Sequence, residues 1–168
     1  MAGVWMVVAF TTLMLVVSLG VDYGRVQMTK TQLRATADAA ARAAATGIVI
    51  SDSQARSDGI AVAAQNLADG SPVIITTSDI DIGNWDDTTT PKFSTSRTPT
   101  NAVQVRANRT AASGNAVPLS FASLLGIISC DVHASVVATN DPLYFGFIGL
   151  NLRSARFKSH FTQTRSLH

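Results

Sequence analysis

The chain has 168 residues, of which 46% are hydrophobic, 7% aromatic and 14% charged, which leaves room for one compact domain beside an apolar segment. The charged share lies well below the quarter or so usual in soluble domains, so some segment is unusually apolar. The net charge of +2 is owed to Arg153, Arg156, Lys158 and Arg165 near the C-terminus; without them the chain is mildly acidic, which excludes a nucleic-acid-binding body by charge.

Met1 to Val21 carries no charge. Its apolar runs, Val4–Phe10 and Leu13–Leu19, nearly fill the ~20 residues that a helix rising 1.5 Å per residue needs to cross a ~30 Å hydrocarbon layer. Thr11, Thr12 and Ser18 can return their hydroxyls to the preceding turn and so be tolerated in lipid. Trp5 and Tyr23 flank the segment as interfacial aromatics. A cleaved signal peptide would show a basic start, a shorter apolar core and a small-x-small site. The sequence reads instead as a retained anchor over residues 1–21, with the rest of the body in 22–150 and a basic, disordered tail in 151–168.

Good helix formers continue to Thr46. Val26, Leu33, Ala37, Ala40 and Ala44 mark one apolar face, where alanines allow close approach of another helix or a sheet. Asp38 and Arg42 lie four apart, a pairing of ~0.3 kcal/mol. The anchor and this stretch are therefore expected to form one long helix that ends at Gly47 as a C-terminal glycine. A second helix is signalled by Ser51-Asp52 as caps and Gly70 as stop, with Ile60, Ala61, Ala64, Leu67 and Ala68 on one face. Strands are expected at Val73–Thr77, Asp79–Trp85, Lys92–Thr95, Asn101–Thr110 and Ile128–Thr139, from their β-branched residues and period-two alternation. Pro118–Leu125 reads as a short helix. Sequence-adjacent strands joined by short turns give an antiparallel sheet. The fold class is α+β: a long N-terminal transmembrane helix running into an alanine-rich helix, a second helix, and a small antiparallel sheet of three to five strands.

Val21-Asp22-Tyr23-Gly24-Arg25 directly after an apolar run, then Gln32-Leu33 and Ala37-Asp38-Ala39-Ala40-Ala41, resembles the N-terminal region of TadE/TadG-like Flp (tight adherence) pilus-assembly proteins. There the pattern is an apolar helix, a DxGR element and an alanine-rich helix. Asp81–Asp86, Asn101–Val105, Val117–Leu119 and Leu125–Ile127 resemble the continuation of TadG-like members, so the likeness spans roughly Val4 to Asn151. It implies a pilin-like layout and a structural role in pilus assembly through packing against other pilus-assembly or pilin-like subunits and the lipid bilayer, as homo- or hetero-oligomers. It implies no enzyme activity, no cofactor, no nucleic acid and no small-molecule substrate. By the positive-inside rule the Arg25, Lys30 and Arg34 side would be cytoplasmic. The family layout puts the N-terminus in the cytoplasm and the body on the periplasmic side of the inner membrane, and we follow the family. The D-x-S-x-S metal motif of longer TadG-like members does not occur here. The alternative is a secreted or signal-anchored binding domain unrelated to pili.

Asp22, Tyr23, Gly24 and Arg25, where the helix leaves the apolar segment, are the candidate membrane-boundary or partner-contact residues. No catalytic or metal-binding set emerges. All 11 acids are aspartates, so no mechanism with a glutamate base is available. Asp79, Asp81, Asp86 and Asp87 lack the spacing of a calcium loop. His133 has no partner motif, Ser120, Ser123 and Ser129 lack a G-x-S-x-G setting, and Asn108-Arg109-Thr110 is a glycosylation sequon of a kind common by chance. The single cysteine, Cys130, excludes an intramolecular disulfide and a cysteine zinc site; beside Ile127 and Ile128 it reads as a buried, inert thiol.

Overall fold

The computed structural model describes residues 2–140. The expected tail, 151–168, lies outside the described residues.

Helix α1 runs unbroken over Ala2–Gly47. Its two halves differ in cover. The apolar half is bare: the most hydrophobic 18-residue window has a mean hydropathy of 2.3 and no buried residue. In the other half Leu33, Ala37, Ala40, Ala41 and Ala44 are wholly buried. Helix α2, Asp52–Ala64, is capped by Ser51, whose hydroxyl accepts the Gln54 N–H at 3.1 Å, as the cap chemistry predicts. It folds back along α1 through a tight contact of small residues. A Cβ on Gly47 would lie 2.7 Å from Ala55 Cα, and one on Gly59 would lie 3.3 Å from Ala44 Cβ and 3.0 Å from Ile80 Cδ1. Gly47 therefore ends α1 by admitting α2, not by adopting the left-handed conformation expected of a C-terminal glycine.

Helix α2 stops six residues before the Gly70 that its sequence marks as the terminator. The helix ends at Ala64, because Asn66 and Val73 begin a different pattern: Asn66 Nδ2 donates to the Val62 carbonyl at 2.7 Å, and the Val73 N–H donates to the Asn66 carbonyl. Leu67–Ala68 (β1) and Ser71–Pro72 (β2) then form a small hairpin around Asp69 and Gly70, both at positive φ. The buried face of α2 is Ala55, Gly59 and Ala63, while Ala61, Ala64 and Leu67 are exposed. The Val73–Thr77 segment alternates buried Val73 and Ile75 but pairs with no neighbour, so it is an extended cover over the core and not a strand.

The main sheet has four antiparallel strands in the order β4 (Phe93–Ser94), β3 (Ile80–Trp85), β5 (Ala102–Arg109), β8 (Val132–Thr139). In register, Ile80 faces Val105, Val105 faces Val136 and Ala107 faces Ala134. The alternation in β5 puts Val103, Val105 and Ala107 into the core, as period two requires. The two buried layers, α1 with α2 and the inner face of the sheet, meet across Leu33, Ile80, Val103, Val105, Val117 and the alanines. β6 (Val117–Pro118) pairs with β7 (Ser129–Cys130) at the neck of a loop. Within that loop the expected Pro118–Leu125 helix is only one 3₁₀ turn, Ala122–Leu125, ended by Gly126 at φ +83°.

Candidate functional site at the helix exit

The residues singled out at the helix exit join two distant segments to α1. The Asp22 carboxylate is 4% exposed and accepts three backbone N–H groups nearly a hundred residues away: Ser120 at 3.0 Å, Phe121 at 2.8 Å and Ala122 at 2.7 Å. These N–H groups open the Ala122–Leu125 turn, where no earlier carbonyl is available to them. Burial pushes the Asp22 carboxyl upward, but the three N–H donors and the Arg25 charge outweigh it, so its pKa sits below the ordinary 3.8.

One turn further on, Arg25 makes a two-pronged pair with Asp69 at the tip of the β1–β2 hairpin, Nε to Oδ1 at 2.8 Å and Nη2 to Oδ2 at 3.1 Å. That hydrogen bond raises the Arg25 pKa above its usual value. The Asp69 N–H donates to Gln32 Oε1 at 2.9 Å, which binds the same tip to α1 a second time. Tyr23 and Gly24, between these two anchoring residues, point away from the body. Tyr23 is exposed and a Cβ on Gly24 would meet nothing within 4 Å. The four candidate residues thus divide into two that hold the body to the helix and two that face outward.

The candidate packing face is filled from within. Leu33, Ala37, Ala40 and Ala44 have no exposed surface and Val26 packs against the same cluster. α2 and the sheet cover Leu33 and the three alanines completely and Val26 in part, leaving no atom of those four for a second protein.

The strand motif Asp81–Asp86 has a structural explanation. A Cβ on Gly83 would collide with the Ser94 carbonyl of β4. Asn84 Nδ2 donates to the Pro99 carbonyl at 2.6 Å, and the Trp85 N–H donates to Asn101 Oδ1 at 2.7 Å. Asp81 pairs with Arg106, Asp79 caps Thr76, Asp86 holds Thr88 at 2.7 Å and Asp87 pairs with Lys92 at 3.3 Å. The four aspartates are spent on separate local contacts, and among the described residues no three His, Cys, Asp or Glu side chains cluster. His133 Nδ1 lies 3.0 Å from Asn108 Oδ1 across the β5–β8 ladder. Cys130 is half-buried, not buried, because it stands on the outer β6–β7 neck.

Sequence reading missed the partners of Asp22 and Arg25, which lie 98 to 100 and 44 residues away. A signal was present for the first of them: no charged residue occurs between Arg109 and Asp131, an unusual length for a loop.

An α+β body built around the second half of one long helix, whose first half is bare and apolar enough to cross a membrane, has the layout that a single-helix anchored protein requires. Two family models match the chain. The Flp pilus-assembly TadE/G-like model covers residues 1–47, and the Tad-like Flp pilus-assembly model covers residues 26–138. The chain belongs to the Tad-like Flp pilus-assembly family, a structural and assembly family. No curated protein and no solved structure matches it.

Proposed function

We propose that the protein is a membrane-anchored structural component of a Flp/Tad-type pilus machinery. α1 crosses the bacterial inner membrane once, the body stands on the periplasmic side, and the protein acts by packing against other subunits. The observation that carries this reading is the continuity of α1: a bare apolar half runs without a break into a half that forms the centre of the body. A signal peptide is cut from an extended, accessible small-x-small site. Here the boundary is helical and its Asp22 is buried under a loop, which favours retention. Because Ala40 and Ala44 are occupied internally, subunit contacts fall to the exposed side of α1, where Gln27, Thr31 and Ala35 lie four residues apart.

The test is fractionation with protease accessibility of the full chain in a diderm bacterium, followed by photo-cross-linking from Thr31 and Ala35. A full-length protein in the inner membrane, cut only from the periplasmic side and cross-linked to pilus-machinery subunits, is the expected result. A shortened, freely soluble body would replace this reading with the secreted-domain alternative.

A further inference from the structure

The geometry points to a second membrane contact: the uncharged loop between β6 and β7 enters the headgroup and upper acyl region of the leaflet from which α1 emerges. This rests on the reading that α1 spans the bilayer.

The placement follows from two tethers at opposite ends of the second half of α1. At the far end Asn140 Nδ2, just past β8, donates to the Ala45 carbonyl at 3.1 Å. Going back along β8 from Asn140 to Val132 covers ~26 Å at ~3.3 Å per residue, while Asp22 lies ~35 Å from Ala45 along the helix. The segment preceding β8 makes up the difference, and Asp22 holds it at the level where the uncharged stretch of α1 ends. The loop is thus the part of the body nearest the bilayer.

What the loop presents there is apolar. Leu124 is 77% exposed and Ile128 73%, and Leu125 and Ile127 are also well exposed, with Phe121 beside them. Val117 roots the loop in the core, and its mouth is closed by the Leu119 N–H donating to the Ile128 carbonyl at 3.0 Å. Four large aliphatic side chains on a closed and tethered loop, with no charge from Thr110 to Cys130, fit lipid better than water. Several of the backbone donors that insertion would strand are used: Leu124, Gly126 and Ile127 N–H groups bond within the loop and those of Ser120, Phe121 and Ala122 bond to Asp22, which lowers the cost of a low-dielectric setting. Ser18, one turn before Asp22 on the same face, is the only residue of Ala2–Val21 that is not exposed. Val49 and Ile50, also exposed, lie at the opposite end of the body, and Leu67 and Ile74 are exposed in and just after the β1–β2 hairpin. The occupant argued for is therefore the lipid surface continuous with the spanning segment, not a second protein.

The experiment uses the full chain with Cys130→Ser, reconstituted sparsely in phosphatidylethanolamine–phosphatidylglycerol vesicles. Single cysteines at Leu124, Ile128, Ala111 and Val8 carry a spin label, and accessibility is read with oxygen and with a water-soluble nickel chelate. Leu124 and Ile128 are exposed, so these replacements leave the core intact. The expected result is that labels at 124 and 128 are open to oxygen and have nickel access clearly below that at 111, falling between the labels at 111 and 8 as a headgroup and upper acyl position requires. If 124 and 128 match 111 while 8 reads as lipid, the loop inference fails and the spanning reading stands. If 8 is itself open to nickel, the spanning reading has failed and takes the inference with it. Labels at 124 and 128 closed to both reagents would mean protein cover, which overturns the lipid assignment.

Discussion

The two halves of α1 solve opposite packing problems on one backbone. Before Asp22, bulky Val, Leu, Met and Phe side chains point outward on every side and nothing in the body covers them. After it, the large side chains thin out, and a stripe of alanines with Leu33 is sealed beneath α2 and the sheet. In the proposed spanning arrangement bulk works in the first half because lipid is itself apolar and close fit to a fixed partner is not required. In the second half the partners are fixed, and alanine and glycine let two helices and a sheet share one centre at close range. A hydrophobicity profile alone would rank the first half as the more buried, which is the reverse of its cover in the folded chain.

The contrast can be broken most strongly at Leu33. Leu33→Ala removes the largest wholly buried side chain and should destabilise the body by about 2–5 kcal/mol, whereas Leu15→Ala on the bare half should stay within about 0.5 kcal/mol. Denaturant titration followed by circular dichroism in detergent checks both, and equal losses would erase the distinction. Next comes Ala44→Leu, which drives three carbons into the space facing Gly59. Overpacking there should cost about 1–3 kcal/mol and separate α1 from α2, visible as lost hydrogen-exchange protection along α2.

The junction between the halves is tested by pH. The folded Asp22 carboxyl has a depressed pKa, so its stabilising contribution is complete above the ordinary value of 3.8 and is lost as pH falls through the lower folded value. Protection of the Ser120, Phe121 and Ala122 amides, corrected for intrinsic exchange rates, should therefore hold at pH 6 and fall only as the pH drops below the ordinary carboxylate value of 3.8, and Asp22→Asn should lower it at pH 6. Protection unchanged in Asp22→Asn would show that the loop is held by something else. The smallest effect is expected at Arg25→Ala. Its pair with Asp69 is partly exposed, so about 0–1 kcal/mol is at stake, with any loosening confined to the β1–β2 hairpin.

The sequence made the period-two strands and the continuous α1 legible, because both rest on local patterns with few competitors. Val103, Val105 and Ala107 announced the inner face of β5 in this way, and the alternation of β8 did the same for Val132 and Ala134. What stayed hidden depended on distance along the chain. Asp22 reads as a boundary charge until the Ser120–Ala122 amides arrive, and Gly47 reads as a helix terminator until α2 is seen against α1. The end of α2 was misplaced because Gly70 is a strong turn signal, but the turn it serves belongs to the hairpin after the helix. Val73–Thr77 alternates like a strand because it does cover the core, yet it joins no ladder among the described strands. Of the candidate site, the identity of Asp22 and Arg25 was readable; their partners, and the apolar loop that one of them holds, were not.

α1 has no hinge between its halves, and this has a mechanical consequence. Spanning helices commonly tilt by ~20°. Gly47 lies 26 residues beyond Val21, or ~39 Å along the axis, so such a tilt would carry the far end of the body ~13 Å sideways. Whatever packing and interfacial anchors fix the tilt would then steer where the body presents itself. With the Asp22 and Arg25 tethers intact, the body follows the helix as a pointer follows its shaft.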